Sequence, residues 1–97
     1  MSTIRILKYP VMGGSVTTIT CRRRRLLDIQ FQRGELVCWI KTNDDSPEIT
    51  TKLLSVGTGW DIPAKMLNGA TYFKTVQDDY GDVWHFYDRA TPGSTAE

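Results

Sequence analysis

The sequence predicts a mainly β, single-domain protein: a small antiparallel sandwich or partly open barrel of about six strands with one short helical turn. Three observations carry that expectation. Apolar residues alternate with polar ones over short stretches and almost nowhere recur at helical spacing. Clusters of Gly, Pro, Asn and Asp interrupt the alternation at intervals of roughly ten residues. With 97 residues, 40% of them hydrophobic, the chain holds one small core and no second domain.

Taken in order, Ile4–Tyr9 and Ser15–Cys21 read as strands divided by Pro10 and Gly13-Gly14. Arg22-Arg23-Arg24-Arg25 then reads as an exposed loop, and the next strand opens at Leu26. The clearest unit is a hairpin from Leu27 to Thr42, turning at Arg33-Gly34 with Gly34 at positive φ. That turn pairs Phe31 with Leu36, Ile29 with Cys38 and Leu27 with Ile40 on one apolar face. Asp28, Gln30, Gln32, Glu35, Val37 and Trp39 occupy the other, which is partly wet or covered by a second layer.

Asn43–Pro47 is a turn, followed by a strand from Ile49 to Val56. Pro63–Leu67 forms the helical turn, with Pro63 at its first position and Asn68-Gly69 as its stop. A second hairpin spans Tyr72 to Asp88 around Asp78-Asp79-Tyr80-Gly81. An even-length loop there pairs Phe73 with Phe86, Thr75 with Trp84, Val76 with Val83 and Tyr72 with Tyr87. Both faces carry bulk, which places this hairpin centrally. The domain covers residues 1–89 and a flexible tail covers 90–97.

Charge is unevenly distributed. Residues 1–42 hold eight Lys or Arg against two acids, whereas residues 43–97 hold four against nine. Arg22, Arg23, Arg24 and Arg25 offer guanidinium forks suited to phosphate or carboxylate, beside the bland reading of a solvated loop. A net charge of +1 falls well short of the basic excess that duplex nucleic acid asks for. Gly57-Thr58-Gly59-Trp60 lacks the spacing of a phosphate-cradling loop and reads as a tight turn presenting Trp60. Trp60 and Tyr72 are the candidate stacking residues.

His85 is the single histidine, and its surroundings in sequence identify neither a nucleophile nor an acid partner. It reads as a strand histidine bonded to a neighbour, with a hydrolase as the distant alternative. Cys21, Cys38 and His85 lack metal-ligand spacing, and both cysteines are expected as free thiols. No cofactor or metal is expected. No apolar run reaches the roughly 20 residues of a membrane span or the length of a signal peptide, so a soluble protein is expected.

Lys8-Tyr9-Pro10, then Leu27-x-x-Gln30-x-Gln32-x-Gly34-x-Leu36-x-Cys38-Trp39, Gly57-Thr58-Gly59, Ile62-Pro63, Thr75-Val76-Gln77 and Trp84-His85-Phe86 occur in one order. Together they resemble an uncharacterised family of small bacteriophage and prophage proteins, a domain of unknown function. The resemblance spans roughly Ile4–Asp88. Two departures stand out: the arginine run replaces a Pro-Gly-type turn, and Trp60 stands where relatives commonly have His. The resemblance implies a phage accessory protein acting in the host cytoplasm.

The functional expectation is a non-catalytic binding protein. It would block or sequester a host factor, such as a defence component, through Arg22–Arg25 and exposed aromatics. One alternative is a nucleotide or cyclic-nucleotide sponge, with Arg on phosphate and Trp60 or Tyr72 on a base, in a pocket between subunits of a homo-oligomer. Another is a virion or assembly component.

Overall fold

A computed structural model describes residues 2–92. Seven strands form two antiparallel sheets: β1 (Ile4–Pro10), β2 (Val16–Cys21), β3 (Arg23–Gln32), β4 (Glu35–Asn43), β5 (Ile49–Gly57), β6 (Thr71–Gln77) and β7 (Val83–Pro92). The three-stranded sheet has the order β1-β4-β3 and the four-stranded sheet β2-β5-β7-β6. The sheets pack as an open sandwich, one strand richer than expected. Ile29, Cys38 and Ile40 from one sheet and Leu53 and Phe86 from the other are fully buried between them. Among the described residues no helix is long and apolar enough to cross a membrane.

The β3–β4 hairpin turns at Arg33 (φ 52°) and Gly34 (φ 86°), so both turn residues adopt the left-handed region that a two-residue hairpin turn requires. Phe31 faces Leu36 and Ile29 faces Cys38 as expected. Leu27 does not face Ile40. Register shifts on either side make Leu27 and Arg24 surplus residues, so Leu26 takes the place opposite Ile40. Leu26 is 3% exposed and Leu27 37%. The arginine run is correspondingly not a loop: β3 begins at Arg23.

The β6–β7 hairpin also departs from the even-loop register. Gln77 pairs with Val83, Val76 with Trp84, Thr75 with His85 and Lys74 with Phe86, around an odd loop of Asp78–Asp82. Asp78 explains the odd count, because its carboxylate accepts the backbone N–H groups of Tyr80 and Asp82 and the Trp84 indole N–H. A shift at Phe73 then restores Tyr72 opposite Tyr87. Of this hairpin only β7 is internal to the sheet; β6 is its outermost strand.

β7 continues to Pro92 and pairs Ala90 with Thr51 and Thr91 with Thr50, past the expected boundary at residue 89. The first half of β5 would otherwise leave that edge of its ladder open. Residues 93–97 of the expected tail lie outside the described residues. The helical turn is a 3-10 helix, Ala64–Leu67, with Pro63 just before it rather than within it.

Both cysteines are free. Burial pushes the Cys38 thiol up to about 11, against a smaller opposing effect of the Tyr9 backbone, and burial also raises Cys21. Since the thiolate is the nucleophile, iodoacetamide at pH 8 should label Cys21 first. Cys38, fully buried, should react only when the fold opens, and peptide mapping after timed alkylation checks the order.

Candidate functional site

Cross-strand register converts the charge asymmetry of the sequence into an asymmetry of sheets. β1, β3 and β4 all come from residues 4–43 and carry Arg5, Lys8, Arg23, Arg24, Arg25 and Lys41 against Asp28 and Glu35. The one strand of that half that joins the other sheet, β2, carries no charge. The cationic half of the chain is therefore one layer of the sandwich.

Directly paired residues share a face, so the outer face of this layer follows from its register. Ile6, Lys41 and Arg25 form one row, and Lys8, Trp39 and Asp28 the next. Pro10, Val37 and Gln30 follow. Lys8 Nζ donates to Gln32 at 2.8 Å and lies 5.9 Å from the centre of the Trp39 ring, within cation–π reach. Val37, in the row between those of Trp39 and Gln32, is 3% exposed although it faces outward. Asp28 is already neutralised: Lys74 Nζ donates to it at 2.6 Å, and hydrogen bonds from Lys74, Gln30 and the Ile29 N–H hold its carboxyl below the usual range against the raising effect of burial. What remains is a half-buried indole among ammonium and guanidinium groups, beside an Ile6 that is 61% exposed.

The four adjacent arginines have different surroundings. Arg23 turns inward and grips Asp88 in a two-pronged ion pair, with N–O distances of 2.9 and 2.5 Å. It also donates to the Thr51 hydroxyl at 2.7 Å. Arg22 donates to the Ser46 carbonyl at 2.9 Å. Arg24, a surplus residue of the strand, and Arg25, in the row of Lys41, are both exposed. Of the four, Arg24 and Arg25 are the two whose side chains make no hydrogen bond among the described residues.

Trp60 is not brought to the arginines, and Tyr72, one position from the strand pair of Asp88, lies on the opposite face of its sheet from Arg23. Arg23 bonds Thr51, whereas Trp60 packs on Gly57, six residues further along β5, which is about 20 Å at the rise of a strand. Trp60 stands edge-on to Trp84 at 5.7 Å. A Cβ at Gly57 would lie 2.6 Å from the Trp60 indole nitrogen, and one at Gly14 would lie 3.0 Å from its ring. The indole is seated where only glycine leaves room, and it is still 51% exposed. Tyr72 stacks edge-on with Tyr87 on the outer face of the four-stranded sheet.

A hydrogen-bonded chain runs beside Trp60. Thr58 Oγ1 lies 2.6 Å from His85 Nε2, Thr75 Oγ1 lies 3.0 Å from Nδ1, and the Tyr72 hydroxyl lies 2.7 Å from Thr75 Oγ1. His85 is thus bonded to neighbours through both ring nitrogens. Thr75 and His85 meet across the β6–β7 hairpin, whereas Thr58 joins them from just past the end of β5. Among the described residues no group of His, Cys, Asp and Glu is placed to hold a metal ion.

The missed members of the cationic face are Trp39, Lys41 and Lys8. The available signal was the alternation that put Val37 and Trp39 opposite the core-facing residues of their strand. A family model described as a domain of unknown function, DUF7352, matches residues 2–97. No curated protein and no solved structure matches the chain.

Proposed function

For a chain that belongs to the DUF7352 domain family of unknown function, we propose a non-catalytic binding role centred on the outer face of β1-β4-β3. The occupant is an acidic protein surface. The observation that carries this reading is the register that gathers Lys8, Arg25 and Lys41 around Trp39 while Lys74 neutralises the nearest acid. Arg and an aromatic anchor are the residue types that dominate interface energetics, and the rim charges set the rate of encounter. A protein surface fits better than a nucleotide, because Lys8 already lies over the Trp39 ring where a base would stack. Ile4, 51% exposed, and Ile6 add apolar area that phosphate does not use. We further propose that the protein is a phage accessory factor sequestering a host component in the host cytoplasm, in line with the motif resemblance.

The double variant Arg25→Glu/Lys41→Glu tests the site. Wild-type protein should bind a fluorescein-labelled glutamate-rich peptide with an affinity that falls as salt rises. The variant should lose about tenfold or more, as expected when like charges are brought together, while its melting temperature stays within a few degrees of wild type. Equal binding by the two proteins sinks the assignment of this face. Preference for an oligothymidylate over the peptide would transfer the site to a nucleotide ligand.

A further inference from the structure

The end of the sandwich remote from Arg23 holds a polar recess that the cationic face does not use. Gly57, Thr58, Trp60, Gly81, Asp82 and Trp84 line it, with an empty volume of about 500 Å³ counted to its open mouth. Its walls are the two edge-to-face tryptophans, and its one charged lining residue is the carboxylate of Asp82. A second, more apolar recess lies on the other side of Trp60, lined by Val56, Ile62 and Met66, and its one charged lining residue is also a carboxylate, Asp61. A phosphate-bearing guest at Trp60 would be repelled by acids on both sides, whereas a cation would be attracted by them.

We propose that the recess between Trp60, Trp84 and Asp82 binds a guanidinium group, the planar end of an arginine side chain or of a small arginine-like molecule. The indole of Trp60 supplies a flat, half-exposed face for it, and planar guanidinium stacks on such a face more readily than a hydrated ammonium. Asp82 supplies an acceptor for its fork. Thr58 supplies a further acceptor: where its hydroxyl donates to His85 Nε2, the oxygen keeps its lone pairs for a guest. Gly81, with nothing within 4 Å of where a Cβ would stand, lets a ligand approach the backbone there. Close packing of Trp60 on Gly57 and Gly14 fixes the ring before any ligand arrives, which lowers the ordering cost of binding.

The inference concerns a different end of the molecule from the cationic face, so its success or failure is separate from that reading. Its test is a titration of the full chain with agmatine, followed by tryptophan fluorescence and by the indole N–H signals in proton–nitrogen NMR. A saturable change with a Kd in the millimolar range is expected for so small a ligand. Asp82→Asn should weaken it by about fivefold or more, and Trp60→Ala should abolish it. Trp60→Phe, which keeps a smaller aromatic face, should bind with intermediate strength and show that folding survives. Butylammonium should bind more weakly than agmatine. A linear, non-saturating response up to about 50 mM agmatine, equal affinity in Asp82→Asn, or an equal response to butylurea, which keeps the planar head and the chain but carries neither charge, would each overturn the proposal.

Discussion

Asp88→Asn is expected to cost about 3–5 kcal/mol of stability, the range for removing one partner of a buried ion pair, and to lower the melting temperature by on the order of 15 °C. The reason lies in the surroundings of Arg23. Its side chain is 12% exposed and that of Asp88 15%, and the two share a two-pronged hydrogen bond. Thr51, the third member, is fully buried. Arg23 belongs to the three-stranded sheet, while Thr51 and Asp88 belong to the four-stranded one, so the cluster is a polar tie across the interior. Asparagine keeps the volume of the carboxylate but leaves a guanidinium desolvated without a countercharge. The double variant Arg23→Met/Asp88→Leu removes both charges and should lie within about 1–2 kcal/mol of wild type, since apolar replacements of whole buried pairs are often neutral or better. Thermal melts followed by circular dichroism distinguish the cases. A wild-type melting temperature for Asp88→Asn would mean that water satisfies Arg23, which would return that residue to the pool available to a partner.

That cluster also marks where the sequence stops being readable. The two-residue turn at Arg33-Gly34 and the pairing of Ile29 with Cys38 are local: alternation and one turn fix them. The strand over Ile49–Gly57 and the short turn near Pro63 are legible for the same reason. A run of four arginines looks like a solvated loop because nothing nearby in sequence announces that the acid serving one of them stands 65 positions later. Trp60 and Tyr72 are exposed, as a reading of isolated aromatics would have them, but their distance from the arginines depends on which strand lies in which sheet. The approach of Thr58 to His85 has the same character, while Thr75 meets His85 through the odd loop of their own hairpin. Residue types are visible in the sequence, but convergence between distant strands is a property of register.

Leu26→Ala and Leu27→Ala isolate one such register decision, and the expected result is a wide difference between neighbours. Leu26→Ala should cost about 2–5 kcal/mol, since it leaves a cavity in the core, whereas Leu27→Ala should cost less than about 1 kcal/mol. Strict alternation from Ile29 would give the opposite order. It would place Leu27, Arg25 and Arg23 all on the inner face, with two guanidiniums desolvated side by side and one acid between them. The two surplus residues in β3 avoid this. Counting inward from Ile29, the interior positions become Leu26 and Arg23, at a spacing of three, while Arg25 joins Lys41 on the outer face. One arginine is left inside, and it has Asp88. The irregularity is therefore a consequence of charge: the strand extrudes Arg24 and Leu27 so that the remaining interior positions suit a leucine and a single paired cation. Urea denaturation of the two alanine variants measures the difference directly. If Leu27→Ala proves the more damaging, the strand is regular, Arg25 lies inside, and the cationic row around Trp39 loses its guanidinium.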